Sequence, residues 1–363
     1  MQVRVEKVAH GGHFIARNEG QVIFIRDTAP GELVEIEITS KAKGFLRANV
    51  LKVIESSPER ITPPCSYAGR CGGCDFQHLN LPYQRKLKGE VIKEQFTRIA
   101  KLDIEVEVHE VLPTTRYRTH IRGVANSDGH FGIYASRSHE IIPISDCLIA
   151  GAELHVEQIA TEKFEPMQPI EVPQGDQIRE VKGKKLLVKA GAFWQRHRSA
   201  PETLTSKFLE LAKLKPGDHL LDLYGGVGLF SSVAIDVLGP GGRIDLIESS
   251  IPATESAVVN FKDYPNVKVT NSDAQKALRN IKRADVVVLD PPRAGAGAEV
   301  VSQLMRINPT RIVYVACDPA SLARDVRQFV ENGWKLSQID GYDLFPMTQH
   351  IETVCLLEPN KVS

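Results

Sequence analysis

The chain has 363 residues, with 45 Lys or Arg against 45 Asp or Glu and 42% hydrophobic residues, enough for two or three domains that each bury a core. Zero net charge argues against a protein that coats nucleic acid non-specifically. No apolar run approaches the roughly 18 residues of a membrane span, and Met1-Gln2-Val3-Arg4 lacks the core of a signal peptide.

Six cysteines, three of them crowded together, suit a reducing compartment with a metal site better than a disulfide framework. A cytoplasmic location is expected. Residues 1–57 form short apolar runs: Val3, Val5 and Val8; Val22-Ile23-Phe24-Ile25; Leu33-Val34-Glu35-Ile36; and Val50, Leu51, Val53 and Ile54. Ala29-Pro30-Gly31-Glu32 is a turn between two of them. Several short strands close together predict a small barrel of the oligonucleotide-binding type. Lys41, Lys43, Arg47 and Lys52 would then follow an RNA backbone or lie on a solvated barrel edge.

Ser56-Ser57-Pro58 and Pro63-Pro64 mark the next boundary. Cys65, Cys71 and Cys74 follow, separated by a Gly72-Gly73 pair. Leu87, Val91, Ile92, Phe96 and Ile99 then predict an amphipathic helix over 81–99. Residues 110–148 return to strand-like runs, and a turn-prone stretch around Pro166, Pro169, Pro173 and Gly175 comes after them. The stretch 179–198 holds seven Lys or Arg against the single acid Glu180, either a local basic face or solvated surface.

From about residue 203, helices alternate with Leu220-Leu221-Asp222-Leu223, Ile244-Asp245-Leu246-Ile247, Val286-Val287-Val288-Leu289 and Ile312-Val313-Tyr314-Val315. Such continuous apolar runs predict a parallel sheet covered on both faces. Tyr224-Gly225-Gly226-Val227-Gly228 joins the first run to a helix, where glycines allow a tight turn and a close approach of backbone to ligand. Glu248, Asp273 and Asp290 are placed at the ends of the following strands. Acids in that register line a ligand crevice and point to S-adenosylmethionine, with Glu248 on the ribose hydroxyls.

Cys317 is predicted at the tip of a buried strand, just before a helix beginning at Pro319, whose dipole would favour a thiolate. Glu352, where a loop enters a strand, supplies a general base. Cys355, inside an apolar run, reads as a core residue. Cys65, Cys71 and Cys74, with Cys147 as the best-placed fourth thiolate, suit zinc or a [4Fe–4S] cluster. Three close ligands plus a distant one favour the latter.

These pieces, in this order, resemble the RNA 5-methyluridine methyltransferases, which use S-adenosylmethionine and carry an iron–sulfur cluster. The resemblance rests on Phe193-Trp194-Gln195, on the Asp222-to-Gly228 loop, and on Asp290-Pro291-Pro292-Arg293-Ala294-Gly295. It also rests on Cys317-Asp318-Pro319 with Leu322-Ala323-Arg324-Asp325, on Phe345-Pro346 through Val354, and on the cysteine spacing. It implies an α/β fold: a class I Rossmann-like methyltransferase domain, a small N-terminal OB-like β-barrel and a central α+β iron–sulfur domain. The expected division is 1–57 for a TRAM-like, RNA-binding barrel, 58–76 with 110–190 for the iron–sulfur domain, and 77–109 with 191–363 for catalysis.

The same resemblance implies that Gln195, Tyr224, Gly226, Gly228, Glu248, Asp273 and Asp290 bind the cofactor. Cys317 would be the nucleophile and Glu352 the proton acceptor, in methyl transfer to C5 of a uridine in tRNA or rRNA. The partner is then RNA with a flipped or single-stranded uridine, with no membrane, and the protein acts as a monomer. Leu229, Ala316 and Asp318 depart from a frequent Asn or Thr, Ser, and Asn. These departures leave a second possibility, an RNA-binding protein with a degenerate methyltransferase domain. A third is a methyltransferase that acts on another base or on DNA.

Overall fold

The computed structural model describes residues 1–136 and 138–360. They form two compact units, the first made of 1–91, 113–173 and 345–350, the second of 92–112, 174–344 and 351 onward. The first unit therefore joins segments that the sequence divides between a barrel and a central domain.

In the first unit, strands Gln2–Ala9, His13–Asn18, Gln21–Ile25, Leu33–Ala42 and Phe45–Glu55 close into a five-stranded barrel. Alternation buries Val3, Val5, Phe14, Ala16, Ile23, Ile25, Val34 and Ile36 inside. Each Val, Ile or Phe of this set contributes about 1.5–3 kcal/mol when fully buried. The sequence expectation lacked His13–Asn18, whose polar ends hide its alternation. It pairs with Gln21–Ile25 across Glu19 and Gly20, both left-handed (φ 50° and 81°), the hairpin geometry that matches strand twist. Four short strands, Ile121–Ala125, Phe131–Tyr134, Ile141–Pro143 and Pro169–Val172, form a second sheet in this unit.

The second unit is built on an eight-stranded sheet. Its order is Val267–Asn271, Arg243–Glu248, His219–Leu223, Val286–Leu289, Arg311–Ala316, Glu352–Pro359, Trp334–Asp343 and Val108–Glu110. The first five strands are parallel, and Glu352–Pro359 runs antiparallel to both its neighbours. Strand order reverses between His219–Leu223 and Val286–Leu289, and ligands bind at such switch points beyond the strand carboxyl ends. Tyr224 and Asp290 are the first residues past those two strands.

The helix predicted over 81–99 runs as an α-helix over Leu81–Gln95 and then loosens into a π-turn over Phe96–Ala100. The helix before the strand His219–Leu223 is Ala200–Ala212, with Pro201 in its first turn, where the missing N–H costs nothing. Three of the seven basic residues of the stretch 179–198 pair with acids. Lys184 pairs with Asp236 and Lys189 with Glu255, each at 2.7 Å, and Lys182 reaches Glu202 at 3.7 Å. Among the described residues no helix is long and apolar enough to cross a membrane.

Candidate active site

Local backbone geometry shapes the crevice at the switch point. Tyr224 is left-handed (φ 57°), a strained conformation for a side-chain-bearing residue that surrounding structure must hold. Gly225 packs so closely that a Cβ would lie 2.7 Å from Leu246, and at Gly228 (φ 96°) a Cβ would overlap the Phe261 ring. The Gly226 N–H donates to Glu248 Oε2 (3.0 Å) and the Ser250 N–H to Glu248 Oε1 (2.6 Å). Glu248 is thus fixed at the end of its strand, two strands of the crevice tied by one carboxylate.

Asp273 lies just past the strand Val267–Asn271 rather than within it. It caps the short helix Ala274–Leu278, accepting from the Gln275 N–H at 2.9 Å. Asp290 accepts a hydrogen bond from Gln195 Nε2 at 3.1 Å. Burial lifts the Asp290 carboxyl to about 7 against that bond, with the Asp222 charge adding to the rise. Burial likewise raises Asp222 to about 7, although the Ser231 hydroxyl (2.6 Å) and N–H (3.1 Å) both donate to it.

Cys317 and Glu352 come together through strand register. Arg311–Ala316 and Glu352–Pro359 are antiparallel, with partners from Ile312 and Leu357 through to Ala316 and Thr353. One step further sets Cys317 opposite Glu352. Directly opposed residues of an antiparallel pair share a face, with Cβ atoms about 5 Å apart. Glu352 is 3% exposed, and its Oε1 has no hydrogen-bond partner among the described residues.

Electrostatics agree with that placement. Burial first, then the Glu352 and Asp290 carboxyls, push the Cys317 thiol up to about 12, with the Arg293 guanidinium opposing them. Burial and the Asp290 charge hold the Glu352 carboxyl well above the carboxylate range. The sequence predicts a helix dipole that favours the thiolate; in the fold, desolvation and two carboxyls outweigh it. Asp318 has a local role as well, because it caps the helix Pro319–Glu331 by accepting from the Ser321 N–H at 2.8 Å. Asn and Asp perform that task about equally.

Acids gathered around a thiol favour a cationic ligand, which lowers all their pKa values together. A sulfonium is such a ligand. The neutral thiol dominates at pH 7, so the thiolate fraction grows about tenfold per pH unit above it. Alkylation of Cys317, followed by peptide mapping, is expected to accelerate steadily up to pH 9 with no plateau. A plateau below pH 8 would contradict the raised pKa.

Two site features were not anticipated. Leu229 is buried against Val181, Leu186 and Trp194, so the apolar departure serves packing. Asp325, 1% exposed, accepts from Tyr314 Oη (2.7 Å), from the Ala296 N–H (2.8 Å) and from the Arg324 guanidinium (2.9 Å). It thereby pins the turn after Arg293 to the helix that begins beyond Cys317. The sequence signalled it only as part of the motif Leu322-Ala323-Arg324-Asp325, with no role attached.

The cysteine set lies in the first unit. Cys65, Cys71, Cys74 and Cys147 all line one cavity of about 280 Å³. Gly72 is required there, since a Cβ would meet Tyr134 O at 2.8 Å. Burial pushes the Cys74 thiol up to about 12 and raises Cys71, with the other thiolates adding to both. Among the described residues no group of three or more His, Cys, Asp or Glu is arranged to hold a metal ion. Cys355 is fully buried, as expected of a core residue.

A family model described as tRNA (uracil-5-)-methyltransferase matches residues 176–360, and one described as the TRAM domain matches 1–51. The chain belongs to the tRNA (uracil-5-)-methyltransferase family. It is an enzyme of RNA uracil C5 methylation, with S-adenosylmethionine as methyl donor. An uncharacterized RNA methyltransferase of Streptomyces avermitilis is 37% identical, over 99% of this chain and 98% of that protein. One from Bdellovibrio bacteriovorus is 32% identical, over 98% and 94%. The fold is similar to that of the Pyrococcus abyssi tRNA (uracil-54, C5)-methyltransferase solved with S-adenosyl-L-homocysteine. That match has a TM-score of 0.73 at 22% identity and covers 98% of this chain and 100% of the other.

Proposed function

We propose that methyl transfer proceeds through a covalent bond between Cys317 and C6 of the target uracil, with Glu352 as the base that completes the reaction. The register of Arg311–Ala316 against Glu352–Pro359, continued one step from Ala316 and Thr353, supports this proposal. Uracil C5 is a poor nucleophile towards a methyl sulfonium. Addition of the Cys317 sulfur at C6 moves an electron pair into an enolate spanning C5 and O4. C5 then takes the methyl group, with the donor's S–CH3 bonding pair left on a neutral thioether. Glu352 removes the C5 proton, and the electrons of that C–H bond restore the C5–C6 double bond as the Cys317 sulfur leaves with the C6–S pair.

Tyr224, Gly226, Gly228, Glu248 and Asp273 would line the cofactor's nucleoside, and Gln195 and Asp290 its charged end. An acid-rich crevice suits the sulfonium and ammonium of the cofactor. A paired, stacked base hides its C5–C6 face, so the target uridine must be single-stranded or flipped out. The enzyme is expected to work in the cytoplasm, as a monomer on RNA. The RNA is identified by nucleoside mass spectrometry of separated tRNA and rRNA from a deletion strain. The expected result is loss of 5-methyluridine from one fraction. Unchanged levels in both would contradict the assignment.

For the cysteine set we propose a [4Fe–4S] cluster held by Cys65, Cys71, Cys74 and Cys147. Four soft donors lining one cavity suit it, and a cation there would offset the raised Cys71 and Cys74 thiols. Held by Cys65, Cys71, Cys74 and Cys147, such a cluster would tie the cysteine loop to the segment around Cys147. Iron analysis with an absorption band at about 400 nm is expected for protein purified without oxygen, and stoichiometric zinc would contradict it.

A further inference from the structure

The barrel and the cysteine loop enclose a second cavity, of about 510 Å³, within the first unit. We propose that this cavity is a nucleobase-binding site for an unpaired nucleotide of the RNA substrate other than the uridine that is methylated. The proposal deepens the methyltransferase reading and rests on RNA being the substrate.

Its walls are aromatic, cationic and amide-bearing: His13, Phe24, Arg26, Arg47 and Asn49 from the barrel, facing Cys71, Cys74 and Asp75. The aromatic wall is rigid. Phe24 packs edge-on against His13 (centroids 5.9 Å, 79°) and against Phe45 (5.3 Å, 84°). The Arg47 guanidinium stands 5.4 Å from the Phe45 centroid and 3.3 Å from His13 Nε2. Its plane is therefore set before any ligand arrives, and preorganised groups lose little entropy on binding.

Arg26 reaches from the barrel to the opposite wall, paired with Asp75 at 3.5 Å and hydrogen-bonded to Ser136. Its buried Nε has no partner among the described residues.

Charge selects a base over a phosphate. The two guanidiniums are balanced by the carboxyls of Asp27 and Asp75, which line the same cavity. A flat, neutral ring with donors and acceptors on its edge fits that balance, whereas a phosphate would face two carboxylates. Lys41 and Lys43 are exposed on the hairpin of Leu33–Ala42 and Phe45–Glu55, the same two strands that contribute Thr39 and Arg47 to the cavity. They can take the adjoining phosphates. Stacking and amide contacts with outlying lysines are how single strands are held.

The test uses the full chain with a fluorescein-labelled oligouridylate of about ten nucleotides, at fixed salt. Phe24→Ala is expected to weaken binding about tenfold or more, and Arg47→Gln to weaken it similarly, while Lys282→Gln on the second unit changes it less than about twofold. A 4-thiouridine probe is expected to cross-link to the peptide carrying His13 or Phe24. If Phe24→Ala does not fold, Arg47→Gln and the cross-link decide. Wild-type affinity in the folded variants, or a cross-link only elsewhere, would overturn the proposal. So would uridine monophosphate binding as tightly as the oligomer. Binding is read without methyl transfer, so failure of the Cys317 chemistry would leave this result unaffected, and the reverse also holds.

Discussion

Cys317→Ala is expected to lose methyl transfer by at least about 10⁴-fold, as removal of a covalent nucleophile does elsewhere. Two physical facts make the loss specific. The thiol sits past the end of the strand Arg311–Ala316 and is only partly buried, so removing one sulfur leaves the strand pairing intact. Burial and the neighbouring carboxyls push that thiol up to about 12, so the resting protein loses no charge with it. The variant should therefore keep its cofactor and RNA affinities within about twofold and its thermal midpoint within a few degrees, since such a truncation costs about 1 kcal/mol. Rates from labelled cofactor and melting curves measured together check this. A fall in stability that matched the fall in rate would point to a packing role instead.

Glu352→Gln is expected to slow turnover by about 10²–10⁴-fold, the usual worth of a positioned general base, and to do so after the methyl group has moved. The amide fits the same space but cannot accept the C5 proton, so elimination stalls and the methylated adduct accumulates. Burial and Asp290 already hold the Glu352 carboxyl well above the carboxylate range, so the amide changes the resting charge beside Cys317 little, and thiol alkylation in this variant should match the parent at equal pH. Slower turnover with slower alkylation would mean that the site has collapsed. The added N–H₂ is buried beside an oxygen that already has no partner, which costs about 1–3 kcal/mol for an unmet donor and should appear as a lower melting temperature.

Much of the second unit was legible in the sequence. Continuous β-branched runs such as Val286-Val287-Val288-Leu289, alternating with helices, read as strands buried on both faces, with the residues past their ends at the crevice. What was missed lies in register and in sterics that no single segment encodes. Nothing in Glu352-Thr353-Val354 says that the strand runs antiparallel beside Arg311–Ala316, yet that pairing sets the carboxyl opposite the thiol. The three-residue strand Val108–Glu110 is too short to announce itself, and it gains its place only by pairing with Gly341 through Asp343. The predicted dipole effect on Cys317 failed because desolvation, a property of the packed site, outweighs a helix end. In the first unit the cysteine spacing was plain, but its sharing of a wall with Phe24 and Arg47 was not. Those side chains are more than twenty residues away in the chain and meet only once the barrel closes.

The most direct test of the account is intact mass spectrometry of Glu352→Gln incubated with RNA and S-adenosylmethionine, then denatured and digested. The account predicts an RNA fragment carrying one extra methyl group, bonded to the peptide that contains Cys317 and absent from the double variant Cys317→Ala, Glu352→Gln. A methylated RNA product released freely from that double variant, or an adduct mapped to another residue, would contradict it.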